Sequence, residues 1–287
     1  MIRRWHTAAL ALLAVFALAC EGAGRATPGA SGKPEPTRPA TGYPASMAAL
    51  GDSITAGLGA CLAYVACARN SWSTGDNDAI QSHYQRILEK NDRIKRNADN
   101  LATPGAEADA LDGQARRAVE LKPQYVTILI GANDACAGRV QDMTPVDTFR
   151  SQVDEGLARL KKGLPKTRVL MVSIPDLYRL WQVGRENEKA VEIWSRGGIC
   201  PSMLADPTST ADADQERRES VRDRIDDYNT QLRQACRAYG DRCRWDGGAA
   251  HRVRFDVDQL NRFDYFHPNA EGQKELADVV YPGRFSW

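Results

Sequence analysis

The sequence predicts an α/β sandwich in which a mainly parallel sheet is covered by helices on both faces. Three observations predict it. Tyr125–Ile130 (YVTILI) and Arg168–Ile174 (RVLMVSI) are apolar runs dense in β-branched residues, as strands buried on both faces require. Stretches with helical apolar spacing separate them, and strand–helix alternation needs crossover connections, hence parallel pairing. Finally, 287 residues at 43% hydrophobic content suffice for one large core.

The elements follow in order. Met47–Leu50 reads as a short buried strand and Arg96–Leu101 as a second. Glu107–Leu121 has helical spacing. Pro145–Leu164, after the YVTILI strand, places Phe149, Val153, Leu157 and Leu160 on one face. Gln215–Tyr239 carries Val221, Ile225, Tyr228, Leu232 and Tyr239 as a stripe opposite its charges, and Ala270–Val280 closes the chain as a helix. Residues 177–214 break the rhythm. They contain Trp181, Trp194 and a polar run with no clean period, and read as an irregular insertion whose aromatics either cap the core or wall a pocket.

Residues 1–19 read as a signal peptide: Arg3 and Arg4 precede an apolar stretch, Ala8 to Ala19, too short to span a bilayer. Leu18-Ala19-Cys20 resembles a bacterial lipobox, so Cys20 is a candidate lipidation site that would hold the protein at the outer face of the membrane; simple secretion is the alternative. Residues 20–44, rich in Gly, Pro and Ala, read as a disordered tether to a domain spanning 45–287. Without Cys20, six cysteines remain, and an even number in an exported chain predicts three disulfides. Six cysteines allow fifteen connectivities. Closeness in sequence favours Cys61–Cys67 and Cys236–Cys243, which leaves Cys136–Cys200 as a long-range clasp. No CxxC pair exists and the four histidines are scattered, so neither a metal nor another cofactor is expected. A net charge of +1 without a basic stripe predicts no nucleic-acid partner, and the domain is expected to act as a monomer.

Candidate chemistry gathers where ligands bind in open α/β sheets, beyond the carboxyl ends of the strands. Ser53 follows the first strand in MAALGDSITAG, Gly105 the second and Asn133 the third, while His267 precedes the last helix. Serine is a weak nucleophile and needs a base, which imidazole supplies near neutral pH. Asp264, three residues before His267, can fix the imidazole tautomer. The backbone N–H groups of Ser53 and Gly105 and the side-chain amide of Asn133 are candidate oxyanion-hole donors. Each residue has a plainer reading. Ser53 fits a helix N-cap, His267 a loop histidine, and Gly105 and Asn133 ordinary turn chemistry. Asp52 is assigned to structure.

In combination these residues resemble the SGNH, or GDSL, hydrolases. Gly51-Asp52-Ser53-Ile54, Gly105, Gly131-Ala132-Asn133-Asp134 and Asp264-Tyr265-Phe266-His267-Pro268 stand in the family's order. Ile54 occupies a position that is usually Leu. The resemblance implies a flavodoxin-like three-layer α/β/α fold, Ser53 as nucleophile, His267 as base, Asp264 as its orienter, and Gly105 and Asn133 in the oxyanion hole. Asn70 through Gly75 (NSWSTG), Asn100-Leu101-Ala102, Gln114 through Arg117 and Cys200-Pro201 look like the phospholipase B branch, and the cysteine pattern looks like exported actinobacterial lipases. These likenesses tilt the expected substrate toward lipid or phospholipid esters. A carbohydrate O-acetyl esterase and a non-catalytic lipid-binding surface lipoprotein are the alternatives.

Overall fold

A computed structural model describes residues 42–287. The expected signal peptide, Cys20 and most of the expected tether lie outside the described residues. The tether's last residues are packed: the Tyr43 ring lies 5.5 Å from that of Phe285, and Asn91 Nδ2 donates to the carbonyls of Tyr43 and Pro44. Tyr43 is the one large apolar side chain of that segment, and it gains burial by joining the domain.

In chain order the elements are β1 (Met47–Gly51), α1 (Ser53–Ala56), α2 (His83–Leu88), β2 (Ala98–Asn100), α3 (Leu111–Leu121), β3 (Tyr125–Leu129), α4 (Ala132–Ala135), α5 (Val146–Gly163), β4 (Arg168–Met171), α6 (Leu177–Gly184), α7 (Glu188–Trp194), α8 (Pro201–Leu204), α9 (Asp212–Tyr239), β5 (Cys243–Trp245) and α10 (Ala270–Val280). The sheet order is β2-β1-β3-β4-β5 and every pairing is parallel. This is the flavodoxin-like order, and it reverses direction between β1 and β3.

Side-chain alternation along the strands makes the three layers. On β3, Val126 and Ile128 enter a core shared with Leu111 of α3, Phe149 and Val153 of α5, and Ile225 and Tyr228 of α9. Tyr125 and Leu129 point the other way, into a second core with Ile87 of α2 and Leu276 and Val280 of α10. The clearest helices lie close to their predicted spans. The second strand is shorter than expected, three residues instead of six, because only Ala98–Asn100 lie in register with Met47–Ala49 of β1.

The expected irregular insertion is helical instead: α6, α7 and α8 fill much of 177–214. Side chains cap α6 and α7, Asp176 accepting from the Arg179 N–H and Asn187 from those of Lys189 and Ala190. Trp181 and Trp194 are core residues, buried with Leu177, Ala190, Met203 and Leu204. Helices of eight, seven and four residues are too short to show a sustained period, and tertiary burial stabilises them.

The disulfides are Cys61–Cys67, Cys136–Cys200 and Cys236–Cys243. Cys136–Cys200 joins the end of α4 to the start of α8, and Cys236–Cys243 joins α9 to β5.

Candidate active site

β1 ends in a turn that only a glycine fits. Gly51 has φ +144°, and a Cβ there would meet the Leu129 carbonyl oxygen at 2.1 Å. Gln114 of α3 clamps this turn, its amide bonding both the Gly51 N–H (2.7 Å) and the Gly51 carbonyl (2.9 Å). The next residue, Asp52, is the N-cap of α1, its side chain accepting from the Ile54 N–H at 2.9 Å. Ser53 is therefore the first helical residue and not the cap, so its hydroxyl is free for other work. α1 is a single turn. It aligns few peptide dipoles, so the helix-end field at Ser53 is small.

His267 reaches Ser53 from the far end of the chain. Ser53 Oγ and His267 Nε2 are 2.7 Å apart, and His267 Nδ1 is 2.6 Å from Asp264 Oδ2. A carboxylate only accepts, so Nδ1 carries the proton and Nε2 is left to accept from the serine hydroxyl. The other carboxylate oxygen of Asp264 accepts from the backbone N–H groups of Phe266 and His267, at 2.8 and 3.0 Å. All three residues are buried, with relative exposures of 4, 8 and 2% for Ser53, His267 and Asp264. Burial pushes the Asp264 carboxyl up, but the bond and charge of His267 with two backbone N–H groups outweigh it and hold it below its ordinary value. It stays ionised and can stabilise an imidazolium.

The loop carrying Asp264 and His267 is pinned at several points. Asn261 Oδ1 accepts from the Asp264 N–H, and its Nδ2 donates to the His267 carbonyl. Trp194 Nε1 of α7 donates to the Asp264 carbonyl at 2.9 Å. The nucleophile side is buttressed by the NSWSTG stretch: Ser71 Oγ donates to the Thr55 carbonyl and the Trp72 indole to Thr55 Oγ1. Asn100 Nδ2 donates to the same Thr55 carbonyl.

The candidate oxyanion donors leave the neighbouring strands. Asn133 stands in α4, just past β3, and Gly105 in the loop after β2, with φ +79°. Asn133 Nδ2 donates to the Ala106 carbonyl at 2.9 Å, which joins the two loops and leaves its second amide N–H for a ligand. Asp134 reinforces the joint by accepting from the Ala108 N–H at 3.0 Å. Among the described residues, no backbone acceptor engages the N–H of Ser53 or of Gly105. Both loops and Ser53 stand at the carboxyl ends of β2, β1 and β3, around the point where the sheet order reverses.

Burial pushes two further carboxyls up: Asp52 to about 6, against the Ile54 N–H and the charge of His267, and Asp134 to about 7, against a bond from Thr144. Asp52 Oδ2 is buried without a partner among the described residues, and Asp52 serves the turn, as expected from the sequence. A small crevice of about 20 Å³ is lined by Ile54, Leu177, Leu180, Phe255, Phe266 and Pro268 together with the charged Asp176 and Arg179.

Sequence reasoning missed Trp194, Asn261 and Asp134 as supports of the site. Gln114 was singled out only as part of a motif. Asp134 and Trp194 were visible as residue types, but their partners are a backbone N–H and a backbone carbonyl distant in sequence. Local pattern does not encode such contacts.

Comparison with known proteins agrees with this geometry. The GDSL-like Lipase/Acylhydrolase family matches residues 49–275. Membrane-associated phospholipase B1 of Rattus norvegicus is 28% identical over 193 residues, which cover 55% of this chain and 13% of that protein. The same protein of Mus musculus is 28% identical over 196 residues, with the same coverage of 55% and 13%. The chain thus spans about 13% of the length of these curated relatives. A solved structure from Parabacteroides merdae ATCC 43184, described as GDSL-like, superposes with a TM-score of 0.52 at 16% identity, covering 83% of this chain and 94% of that one.

Proposed function

The chain belongs to the GDSL-like lipase/acylhydrolase family, and we propose that it is a carboxylic ester hydrolase working through an acyl-enzyme on Ser53. The observation that carries the mechanism is the unbroken line from Ser53 Oγ to His267 Nε2 (2.7 Å) and from His267 Nδ1 to Asp264 Oδ2 (2.6 Å). Ser53 Oγ attacks the ester carbonyl carbon as its proton passes to Nε2. The imidazolium is balanced by the ionised Asp264. The oxyanion is met by the N–H groups of Ser53 and Gly105 and by the Asn133 amide. Collapse expels the alcohol, which takes the proton from His267 and leaves the acyl group on Ser53. Water then attacks the acyl carbon with His267 as base, and the carboxylic acid departs.

The substrate class we propose is a lipid or phospholipid ester. Apolar side chains adjoining Ser53 and His267 in sequence, Ile54, Phe266 and Pro268, support it. The likeness to phospholipase B1 supports it as well. Export is proposed too, as secretion or as attachment at Cys20; three disulfides support an oxidising compartment. Ser53→Ala tests the mechanism. It should abolish turnover of a short-chain nitrophenyl ester and leave the circular dichroism spectrum unchanged, whereas retained turnover would remove Ser53 from the reaction. A series of esters from acetyl to octanoyl tests the substrate class. Rates should rise with chain length, and activity on acetyl esters alone would favour a carbohydrate O-acetyl esterase.

A further inference from the structure

Six large apolar side chains are exposed among the described residues, and four stand on one rim. Leu62, Tyr64 and Val65 are 101, 48 and 55% exposed, and Phe263 is 47% exposed. Residues 62–66 read LAYVA, five consecutive exposed positions without a polar side chain other than the tyrosine hydroxyl. Such a run costs solubility and calls for an occupant. Leu62 and Val65 point away from the core, while Tyr64 leans toward Phe263 and His267. Its ends are joined by Cys61–Cys67, with Cα atoms 6.0 Å apart. Gly59 N–H donates to the Val65 carbonyl, and Asn70 Nδ2 to the Ala60 carbonyl. The stem is held to the body and the apolar tip is presented outward.

The rim is continuous with the catalytic groups. The Tyr64 ring lies 5.9 Å from that of Phe263 and 6.4 Å from the His267 imidazole. Phe263 belongs to the loop that carries Asp264 and His267. Two exposed arginines adjoin these loops in sequence: Arg262 precedes Phe263, and Arg69 follows the disulfide loop and shares a surface pocket with Asp76; neither forms an ion pair among the described residues.

We propose that Leu62, Tyr64, Val65 and Phe263 insert into the surface of a lipid bilayer or micelle and set Ser53 and His267 against its ester groups. The occupant follows from chemistry and position. Leu62 and Val65 are aliphatic and offer a sugar polymer neither a donor nor a flat face, whereas a lipid phase takes them together with the Tyr64 and Phe263 rings. Guanidinium groups beside an apolar wedge suit lipid phosphates at the depth of the headgroups. A surface that delivers esters to His267 is useful only where the substrate is aggregated. The inference rests on the lipid-ester reading above and makes that reading specific to substrate in an interface.

The test uses the full chain with Cys20→Ser, so that no lipid can be attached there, and Ser53→Ala for binding measurements. It should sediment with phosphatidylcholine vesicles, and more strongly when phosphatidylglycerol is added. Leu62→Ser with Val65→Ser should weaken this binding by about tenfold or more. In a Leu62→Trp variant, vesicles of brominated phosphatidylcholine should quench emission beyond the quenching seen in the parent, a readout blind to membrane contacts elsewhere in the chain. With Ser53 intact, the double serine variant should hydrolyse a soluble nitrophenyl butyrate at the parental rate and vesicle esters about tenfold more slowly. Vesicle binding unchanged in the double variant, together with no added quenching in Leu62→Trp, would overturn the proposal. So would a dimer that the double variant dissolves, without vesicle binding, which would assign the rim to a second copy of the chain. A parent that binds vesicles through the rim but cleaves no ester would instead defeat the enzymatic reading and leave the docking surface standing.

Discussion

Trp194 donates its indole N–H to the backbone carbonyl of Asp264, across 70 residues of chain. The bond ties the segment after β4 to the loop that positions His267. Gly184 makes it possible: a Cβ there would lie 2.0 Å from the Trp194 ring. Trp194→Phe keeps most of the packing and removes the donor, leaving a buried carbonyl unpaired. Thermal unfolding should register a loss of about 1–3 kcal/mol. kcat on a soluble ester should fall several-fold with KM little changed. A variant with parental kcat would reduce Trp194 to a packing residue.

Asp264 holds its loop with one oxygen and the imidazole with the other. Asp264→Asn can keep the backbone bonds but presents no charge to an imidazolium. The expected loss in kcat is on the order of 10²–10⁴, with the fold retained. Asp264→Ala should lose stability as well, because the N–H groups of Phe266 and His267 lose their acceptor. Asn and Ala variants of equal stability would contradict the double duty.

The clasp between Cys136 and Cys200 closes a sequence separation of 64 residues and holds the segment that carries Asn133. Mild reduction should lower kcat before the far-ultraviolet dichroism of the sheet changes, because the sheet's own hydrogen bonds do not depend on the clasp. Activity and dichroism lost in step would show that the clasp stabilises the whole fold instead.

Asp134 gives a pH dependence of stability with a definite sign. Its carboxyl rises from 3.8 to about 7 on folding, through burial. Between those values the folded chain keeps a proton that the unfolded chain has released, so stability falls as pH rises from about 4 to about 7. Asp134→Asn retains an acceptor for the Ala108 N–H and removes the titration. Urea unfolding at pH 5 and pH 8 should differ less in the variant than in the parent. Asp52, pushed up to about 6, leaves a residual slope of the same sign in both. An identical difference in the two proteins would clear Asp134 of the effect.

Much of this architecture was legible in the sequence for identifiable reasons. β3 and β4 are buried on both faces, so they announce themselves as unbroken apolar runs. β2 and β5 are three residues each and half-buried; β2 falls inside the expected Arg96–Leu101, whereas Cys243–Trp245 is too short to show a period and goes unread. Ser53 and His267 were legible because acyl transfer demands those residue types beside an acid, and the motif order supplies them. Trp194, Asn261 and Asp134 were not, because each acts through backbone groups whose positions depend on the finished fold. The rim of Leu62, Tyr64, Val65 and Phe263 joins two loops about 200 residues apart, and no window of sequence contains both.

The account stands most directly on the reactivity of one hydroxyl. Treatment of the full chain with a fluorophosphonate, followed by peptide mass spectrometry, should find a single stoichiometric adduct on Ser53. His267→Ala should slow its formation by orders of magnitude, because the proton then has no acceptor. An active preparation that stays unlabelled at Ser53, or labels equally well without His267, would contradict the proposed chemistry.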